Sequence, residues 1–403
     1  MTNIYDSLKN KSFEDPNINC AIAARADTSD DKIDLSLGTL CDKDGKFYMF
    51  ESVKKAEQLV INDDNRTEDY LFMSGDEEFC LAARSILFPG AQSEELSQLV
   101  SLQTFGSTGA IALFLQLFSE LDYNPTVYLS DPTWCNYYGM LENVGLKYTH
   151  HPYIIKGENR LDIDSMISCL SKANLFDILI LQVCSHNPSG LDLSEEDWAK
   201  VLEVVQQRKL IVLLDIPYQG LSKDFITDVY PCMLFLKARP AVELFVAQSF
   251  SKIMGLCSGR IGCLHFRTLS NSNHLKIALT RIIRATYSTP PRHYASLVKR
   301  VLTTPDLKKE WLEELTMLAN GLKKARAELC NKMVNEFGDR WSFVAKQSGM
   351  YAYLNIEDEL VKKMRDMHIY TSFRGRIVLS RINERNIDRL IYSLKSCLGI
   401  EMI

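Results

Sequence analysis

Features that mark several classes of protein are missing from this sequence of 403 residues. It has no C-x-x-C pair, and Cys257, Cys263 and His265 lie close together without the spacing of a zinc site, so we expect no bound metal. It has no basic tract, and 46 Lys and Arg nearly balance 51 Asp and Glu, which argues against nucleic acid as a main partner. It has no apolar run near the ~20 residues that span a bilayer, so we expect no membrane partner.

The cysteines indicate the compartment. Eleven are scattered along the chain, an odd number, and several stand in apolar runs. This distribution predicts buried free thiols in a reducing compartment rather than a disulfide framework. The N-terminal stretch up to residue 16 is polar and lacks the apolar core of a signal peptide. We therefore expect a cytoplasmic protein.

Six short apolar runs in the middle of the chain have the pattern of strands that are buried on both faces. They span residues 99–105, 126–130, 178–184, 210–215, 244–250 and 261–266. Helical patterns separate them, including 109–118 and 194–208, and the second opens with a capping serine and three acids. This alternation predicts an α/β fold in which a large, doubly wound domain with a mostly parallel sheet occupies residues 46–310.

The remaining segments predict a second, smaller α+β domain. Residues 305–336 have a charged helical pattern that begins with proline and aspartate, typical of a long connecting helix. Two strand-like pieces and a final helix from about residue 384 follow. We expect the small domain to comprise residues 311–403 and to be completed by the N-terminal segment, residues 1–45.

Polar residues follow the predicted strands, where ligands collect in an open parallel sheet. The segments are Gly106–Gly109, Asp131–Trp134, Ser185–Gly190, Asp215–Tyr218 and Ser249–Lys252. Each is ambiguous by itself. The glycine-rich segment suits a phosphate cradle or a plain strand-to-helix turn, and a buried aspartate, a tryptophan or an Asn-Pro pair can be purely structural.

Lys252 is the residue that a structural role explains least well. It follows an apolar strand, in a position removed from solvent, where a lysine can form a Schiff base. Ser249 and Lys252 also match the S-x-x-K of serine acyl-enzymes, but the companion S-D-N and K-T-G motifs and G-x-S-x-G are all missing. Taken together, a phosphate cradle, an aromatic plate, Asp, Tyr, Asn and this lysine are the groups needed to hold pyridoxal phosphate.

With these motifs the chain resembles the class I aminotransferases of fold type I, and in particular their aspartate and aromatic aminotransferase subgroup. The resemblance runs from about residue 34 to residue 390 and is carried by TEDYLFMSG, QTFGSTGAI, SDPTWCNY, CSHNPSG, LLDIPYQG, AQSFSKIMGLCSGRIG, IRATYSTPPRHYAS, KQSGMYAYL and FRGRIVLS. It implies a large cofactor domain with a small α+β domain, and pyridoxal 5'-phosphate as the cofactor.

The resemblance also implies a role for each matching position. Lys252 would be the Schiff-base lysine and proton shuttle, Asp215 would pair with the pyridine nitrogen, and Trp134 would stack on the ring. Tyr218 and Asn187 would contact the ring oxygen. The phosphate would be bound by Ser107, Thr108, Ser249, Ser251 and Arg260. The substrate would lie against Gly38, Trp134 and Asn187, with its α-carboxylate held by Arg376.

Two further positions imply a homodimer with shared active sites. Tyr70 would reach the phosphate in the neighbouring subunit, and Arg284 would reach the side-chain carboxylate of a dicarboxylic substrate there. Arg281, Arg374 and Arg381 flank the chosen arginines, and the choice within each cluster rests on the resemblance. On the residues alone, a solvated surface charge is the commoner role.

The sequence departs from the subgroup at several positions. Gln182 and Tyr137 stand where histidines are common, and Cys257 stands where a tyrosine is usual. Leu40-Cys41 and Thr289 give the expected substrate entrance a less polar lining. These changes bear on substrate preference and on the tuning of Asp215.

The residues and the resemblance together predict an aminotransferase of amino acid metabolism with a ping-pong mechanism. We expect it to move an amino group from aspartate to a 2-oxo acid such as 2-oxoglutarate. The alternative is an aromatic or dual-specificity aminotransferase, which the less polar lining favours. Another pyridoxal-phosphate reaction, such as β-elimination or decarboxylation, and a cofactor-binding module without turnover are the other interpretations.

Overall fold

The structure of the protein is a computed structural model that describes residues 15–399. The polar stretch that argues against a signal peptide lies almost entirely before residue 15 and so falls outside the described residues. Within residues 15–399, no helix is long and apolar enough to cross a membrane.

Helices and strands alternate through most of the chain. The strands are β1 (Ile33–Asp34), β2 (Val100–Thr104), β3 (Val127–Asp131), β4 (Tyr148–Pro152), β5 (Ile178–Gln182), β6 (Ile211–Ile216), β7 (Leu244–Ser249), β8 (Gly262–Arg267), β9 (Tyr351–Tyr353), β10 (Ile369–Tyr370) and β11 (Arg376–Val378). The α-helices are α1 (Pro16–Ala26), α2 (Glu51–Ile61), α3 (Glu77–Leu87), α4 (Ser93–Ser97), α5 (Gly106–Ser119), α6 (Asn136–Val144), α7 (Ile163–Leu170), α8 (Glu195–Arg208), α9 (Tyr230–Leu236), α10 (Ser272–Thr286), α11 (Arg292–Thr303), α12 (Pro305–Phe337), α13 (Asp358–Asp366) and α14 (Ile387–Cys397).

Seven of the strands form one sheet, in the spatial order β2-β8-β7-β6-β5-β3-β4. Strand β8 is antiparallel to both of its neighbours, β2 and β7, and the other strands all run in one direction. Strands β5 to β8 are buried at every residue, which explains their continuous apolar sequences. The predicted α/β fold with a mostly parallel sheet is confirmed.

The six strands predicted from apolar runs all exist, with ends that differ by no more than two residues. Strand β4 was not predicted. This strand lies at the edge of the sheet, where it pairs only with β3, and most of its residues are polar and partly exposed. An edge strand buries too little surface to need an apolar run, and so it leaves a weak signal in the sequence.

The start of α8 follows the predicted capping pattern. The Ser194 hydroxyl accepts a hydrogen bond from the backbone N–H of Asp197 at 3.1 Å, and the Asp197 carboxylate accepts one from the backbone N–H of Ser194 at 3.0 Å. Three acidic residues occupy the first turn, where the helix dipole favours negative charge.

The two ends of the chain pair with each other. Strand β1 is parallel to β10, and β9 is antiparallel to β11, so the segment around residue 34 lies against residues near 370. Helix α12 matches the predicted long helix and continues through residue 310. The domain boundaries at residues 45 and 310 stay a prediction.

Trp311 ties α12 to the turn that carries the lysine. Its side chain is fully buried, and its ring meets Phe225 edge-on with the centroids 5.3 Å apart. The indole Nε1 donates to the carbonyl of Ile253 at 2.6 Å. Because Ile253 directly follows Lys252, this hydrogen bond helps to fix the position of the lysine.

We expect Trp311→Phe to lower the free energy of unfolding by about 1–3 kcal/mol, because the buried Ile253 carbonyl loses its donor. Urea unfolding followed by circular dichroism measures the change. Met317→Ala, at an exposed position of the same helix, is the control and should change the free energy by less than ~0.5 kcal/mol. Equal losses in the two variants would contradict the role assigned to this hydrogen bond.

Candidate active site

A cavity of about 450 Å³ lies where the main sheet meets the segments from the two ends of the chain. The elements around it explain its polarity, because the parallel strands deliver the polar residues that follow them to one edge of the sheet. It is lined by most of the predicted site residues: Gly38, Ser107, Thr108, Trp134, Asn187, Asp215, Tyr218, Ser249, Ser251, Lys252, Arg260 and Arg376.

One corner of the cavity has the character of an anion site. Helix α5 begins there with Ser107 and Thr108 in its first turn, where backbone N–H groups are unpaired within the helix. Arg260 Nη1 donates to the Ser251 hydroxyl at 3.0 Å and to a carbonyl at 3.1 Å. Gly106, with φ of 68°, leaves room for this arginine, since a methyl group there would lie 2.9 Å from Arg260 Nη2.

Asp215 is a buried carboxylate, and one of its two oxygens accepts no hydrogen bond from the described residues. Its Oδ2 accepts a hydrogen bond from the Tyr137 hydroxyl at 2.7 Å, while its Oδ1 is buried without a partner among the described residues. Burial raises the pKa of Asp215 to about 6, and the hydrogen bond from Tyr137 acts in the opposite direction. A cationic N–H placed at Oδ1 would both fill the vacant acceptor site and favour the charged carboxylate.

Lys252 lies in the turn after β7, half-buried at the cavity wall. Its Nζ lies 3.8 Å from the Sγ of Cys257, and that thiol donates to the Ser251 carbonyl at 2.9 Å. The amine therefore lines the same cavity as Asp215.

Arg376 is a buried cation held by neutral groups. It donates to the Ser372 hydroxyl at 2.8 Å, to the side-chain oxygen of Asn187 at 3.0 Å and to the carbonyl of Ser36 at 2.6 Å. Across residues 15–399, no carboxylate lies within ion-pair distance of its guanidinium. A buried cation without a counter-charge is costly, so this site favours an anionic ligand.

The loop that carries Asn187 is fixed by Gln182. The Gln182 side chain accepts from the backbone N–H of Asn187 at 2.8 Å and donates to its carbonyl at 3.0 Å. The side-chain oxygen of Asn187 accepts a hydrogen bond from Arg376, so the side-chain N–H groups of Asn187 remain to donate into the cavity. Gln182 thus positions Asn187 by binding its backbone. The sequence did not indicate this contact.

His186, beside Asn187, has a structural environment. Its ring stacks on Tyr153 with the centroids 4.1 Å apart, and its Nδ1 lies 2.7 Å from the Ser189 hydroxyl. Burial lowers the pKa of His186 to about 3, which keeps the imidazole neutral.

Two predicted site residues lie outside the cavity. The side chain of Tyr70 is 84% exposed, and Arg284 is exposed on α10, where its guanidinium donates to the Ser288 hydroxyl. Both were predicted to act in a neighbouring subunit, and this single chain leaves that prediction untested.

Several residues of the cavity wall were not predicted from the sequence. Tyr351 lines it from β9, and Asp15, Asn17 and Ile18 line it from the start of α1. Cys41, expected at the substrate entrance, is not among the lining residues, and its Sγ lies 3.9 Å from the hydroxyl of Thr39, which is one of them. The signal for Tyr351 was its place in the KQSGMYAYL segment, but nothing in that segment indicates which side chain faces the cavity.

The cavity fits pyridoxal 5'-phosphate. The unpartnered Oδ1 of Asp215 can accept a hydrogen bond from a protonated pyridine nitrogen, and the corner at Arg260 can bind a phosphate group. The amine of Lys252 shares the same space and can bind an aldehyde.

Known proteins resemble this chain over nearly its whole length. The family model described as "Aminotransferase class I and II" matches residues 30–394. The cytoplasmic aspartate aminotransferase of Saccharomyces cerevisiae is 31% identical over 370 residues, which cover 89% of this chain and 88% of the yeast protein. The aromatic-amino-acid aminotransferase of Pseudomonas aeruginosa is 32% identical over 385 residues, which cover 94% of this chain and 96% of that protein.

A solved structure also matches. The aromatic-amino-acid aminotransferase of Burkholderia pseudomallei, covalently bound to pyridoxal phosphate, superposes with a TM-score of 0.91 at 28% sequence identity. The match covers 98% of this chain and 100% of that one. These similarities confirm the resemblance stated from the motifs, and the chain belongs to the class I and II aminotransferases, a family of pyridoxal-phosphate-dependent enzymes.

Proposed function

We propose that this aminotransferase takes aspartate as its amino donor and a 2-oxo acid such as 2-oxoglutarate as its acceptor. The observation that carries the proposal is the buried guanidinium of Arg376, which has no carboxylate partner among the described residues and shares one cavity with Lys252 and Asp215. Amino acids and 2-oxo acids both carry the carboxylate that such a site favours. The similarity to aspartate aminotransferases of several organisms supports aspartate as the donor.

Pyridoxal 5'-phosphate, when bound, supplies an aldehyde that takes up the amino group and a ring that withdraws electrons from the substrate. Asp215 would hold the ring nitrogen in its charged form, and Trp134 would cover one face of the ring. Ser107, Thr108, Ser249, Ser251 and Arg260 would bind the phosphate.

The chain's own groups would carry out the proton transfer. Arg376 binds the α-carboxylate in a two-point arrangement and so orients the substrate Cα. Lys252 Nζ then takes the proton from that carbon, as a general base positioned inside the cavity. The first product leaves before the second substrate binds, which is the ping-pong order.

Specificity for a second carboxylate would depend on a second copy of this chain. Among residues 15–399, the cations that line the cavity are Lys252, Arg260 and Arg376, and each already has a role. The distal carboxylate of aspartate therefore needs a cation from elsewhere, and Arg284 of a neighbouring subunit is our candidate. We propose a homodimer in which Tyr70 and Arg284 complete the partner's site.

A second candidate function is an aromatic or dual-specificity aminotransferase. The described part of the chain places no fourth cation in the cavity, and Leu37 and Ile18 give part of its wall an apolar surface. A ring would suit that wall without an ionic partner. The similarity to an aromatic-amino-acid aminotransferase supports this alternative.

We also propose the cytoplasm as the location. All eleven cysteines are free thiols, and the sulfurs of buried Cys80 and Cys263 lie 4.0 Å apart without a bond. Free thiols at this density suit a reducing compartment.

We expect Lys252→Ala to lower kcat/KM by on the order of 10³-fold or more, because the general base and the covalent anchor of the cofactor are both lost. Transamination assays with aspartate and 2-oxoglutarate measure the effect, and circular dichroism checks that the variant is folded. The loaded wild-type protein should also be yellow and lose that absorption on addition of aspartate. Full activity in the variant would refute the proposed function.

We expect Arg284→Leu to lower kcat/KM for aspartate by about 100-fold or more, because a carboxylate loses its two-point partner. Turnover of phenylalanine and tyrosine should change little. Arg281→Leu, on the same helix and also exposed, is the matched control and should leave both activities intact. Equal losses on aspartate and on aromatic donors would contradict the role of Arg284.

Mixing two inactive variants tests the shared site. In a dimer of Lys252→Ala with Arg284→Leu, one site carries both defects and the other carries neither. Co-refolding equal amounts should restore about one quarter of the wild-type activity with aspartate. No gain on mixing, although mixed dimers form, would contradict a site built from two subunits.

The pKa of Asp215 leads to a pH-dependent stability. Without cofactor, the folded carboxyl has a pKa of about 6 against an ordinary value of 3.8, so the unfolded chain releases this proton first as the pH rises. The free energy of unfolding of the wild type, relative to that of Asp215→Asn, should therefore fall by about 1 kcal/mol between pH 5 and pH 7.5. Above that range the difference between the two proteins should stay constant. Parallel urea titrations of the two cofactor-free proteins measure it. If the wild type instead becomes more stable relative to Asp215→Asn as the pH rises, Asp215 is stabilised as an anion in the cofactor-free protein.

A further inference from the structure

Tyr351 stands between two residues of the proposed site. Its hydroxyl lies 3.0 Å from the hydroxyl of Tyr218, and the guanidinium carbon of Arg376 lies 4.5 Å from the centre of its ring. The tyrosine lines the cavity from β9 and is almost fully buried. One side chain thus contacts both the proposed partner of the cofactor's ring oxygen and the proposed carboxylate site.

The surroundings hold Tyr351 in one place. Its carbonyl accepts a hydrogen bond from the buried Arg326 at 2.9 Å. On the other side, a methyl group added at Gly38 would lie 2.1 Å from the Tyr351 hydroxyl, so the glycine makes room for that oxygen. This explains why a residue without a side chain lies at position 38 of the cavity wall.

We propose that Tyr351 is a positioning residue that acts on the bound cofactor through Tyr218 and on the substrate through Arg376. The inference rests on the proposed function, because it takes Tyr218 as the donor to the cofactor's ring oxygen. Tyr351 touches neither reacting atom in this account, and its effects pass through its two neighbours.

The hydroxyl pair has a defined direction once the cofactor is bound. Tyr218 has one proton, and if it donates that proton to the ring oxygen, the hydrogen bond between the tyrosines must come from Tyr351. When the Tyr218 oxygen accepts a hydrogen bond from Tyr351, the hydrogen bond that Tyr218 donates to the ring oxygen becomes stronger. A stronger hydrogen bond from Tyr218 would stabilise negative charge on the ring oxygen. The exchangeable proton next to that oxygen in the loaded enzyme would then be lost at a lower pH, which lowers the midpoint of the visible absorption.

The ring has a separate role. An aromatic face near a guanidinium attracts the cation and supports its plane, which favours two-point binding of a carboxylate. A phenylalanine at position 351 would keep this contact and lose only the hydroxyl, so the two roles can be tested separately.

The test is the pH titration of the visible absorption of the loaded enzyme. In Tyr351→Phe, we expect the midpoint to move up by on the order of 0.5 pH unit, with kcat lowered several-fold and KM for the amino acid little changed. In Tyr351→Leu, KM should rise as well, by about 10-fold. Tyr353→Phe makes the same chemical change on the same strand, outside the cavity lining, and should move neither the midpoint nor KM.

Two further variants separate this inference from the proposed function. Tyr218→Phe should itself raise the midpoint, and Tyr351→Phe combined with it should add nothing, because the first hydroxyl acts through the second. An unchanged midpoint in Tyr351→Phe, an equal shift in Tyr353→Phe, or fully additive shifts in the double variant would each overturn the role of Tyr351. An unchanged midpoint in Tyr218→Phe would instead overturn the assignment of Tyr218 and with it the site as proposed.

Discussion

The central constraint on this protein is the concentration of positive charge around one cavity. Lys252, Arg260 and Arg376 line it, and the one deeply buried carboxylate among the described lining residues is that of Asp215. The protein stabilises Arg260 and Arg376 mainly with carbonyl and hydroxyl oxygens rather than with acids. Neutral oxygens satisfy the N–H groups without cancelling the charge, so the cavity keeps its attraction for phosphate and carboxylate ligands.

Much of the fold could be predicted because burial leaves a signal in the sequence. Strands that are covered on both faces, such as β6 and β7, need continuous apolar residues, whereas the polar edge strand β4 does not and was missed. The polar residues at strand ends were predictable for a different reason, since the carboxyl ends of parallel strands meet at one edge of the sheet, where ligands collect.

The rest of the site depends on contacts between distant segments, and these have no local signature. The Tyr137 hydroxyl on Asp215 and the Gln182 amide on the Asn187 backbone are visible only after folding. The sequence marked Tyr137 and Gln182 as departures from the subgroup that bear on the tuning of Asp215, but it did not indicate which atoms they contact. In the structure, each supplies a neutral hydrogen bond, which orients a cavity residue and adds no charge.

The hydrogen bond between Arg376 and the Ser36 carbonyl has a consequence for how the protein is made. The two residues are 340 positions apart in the chain. At roughly 5–20 residues per second, a ribosome needs on the order of tens of seconds to extend the chain from one to the other. During that time the segment around Ser36 has emerged without β10 or Arg376 to pair with. The seven-stranded sheet can form first, and the binding site is therefore among the last parts of the molecule to exist.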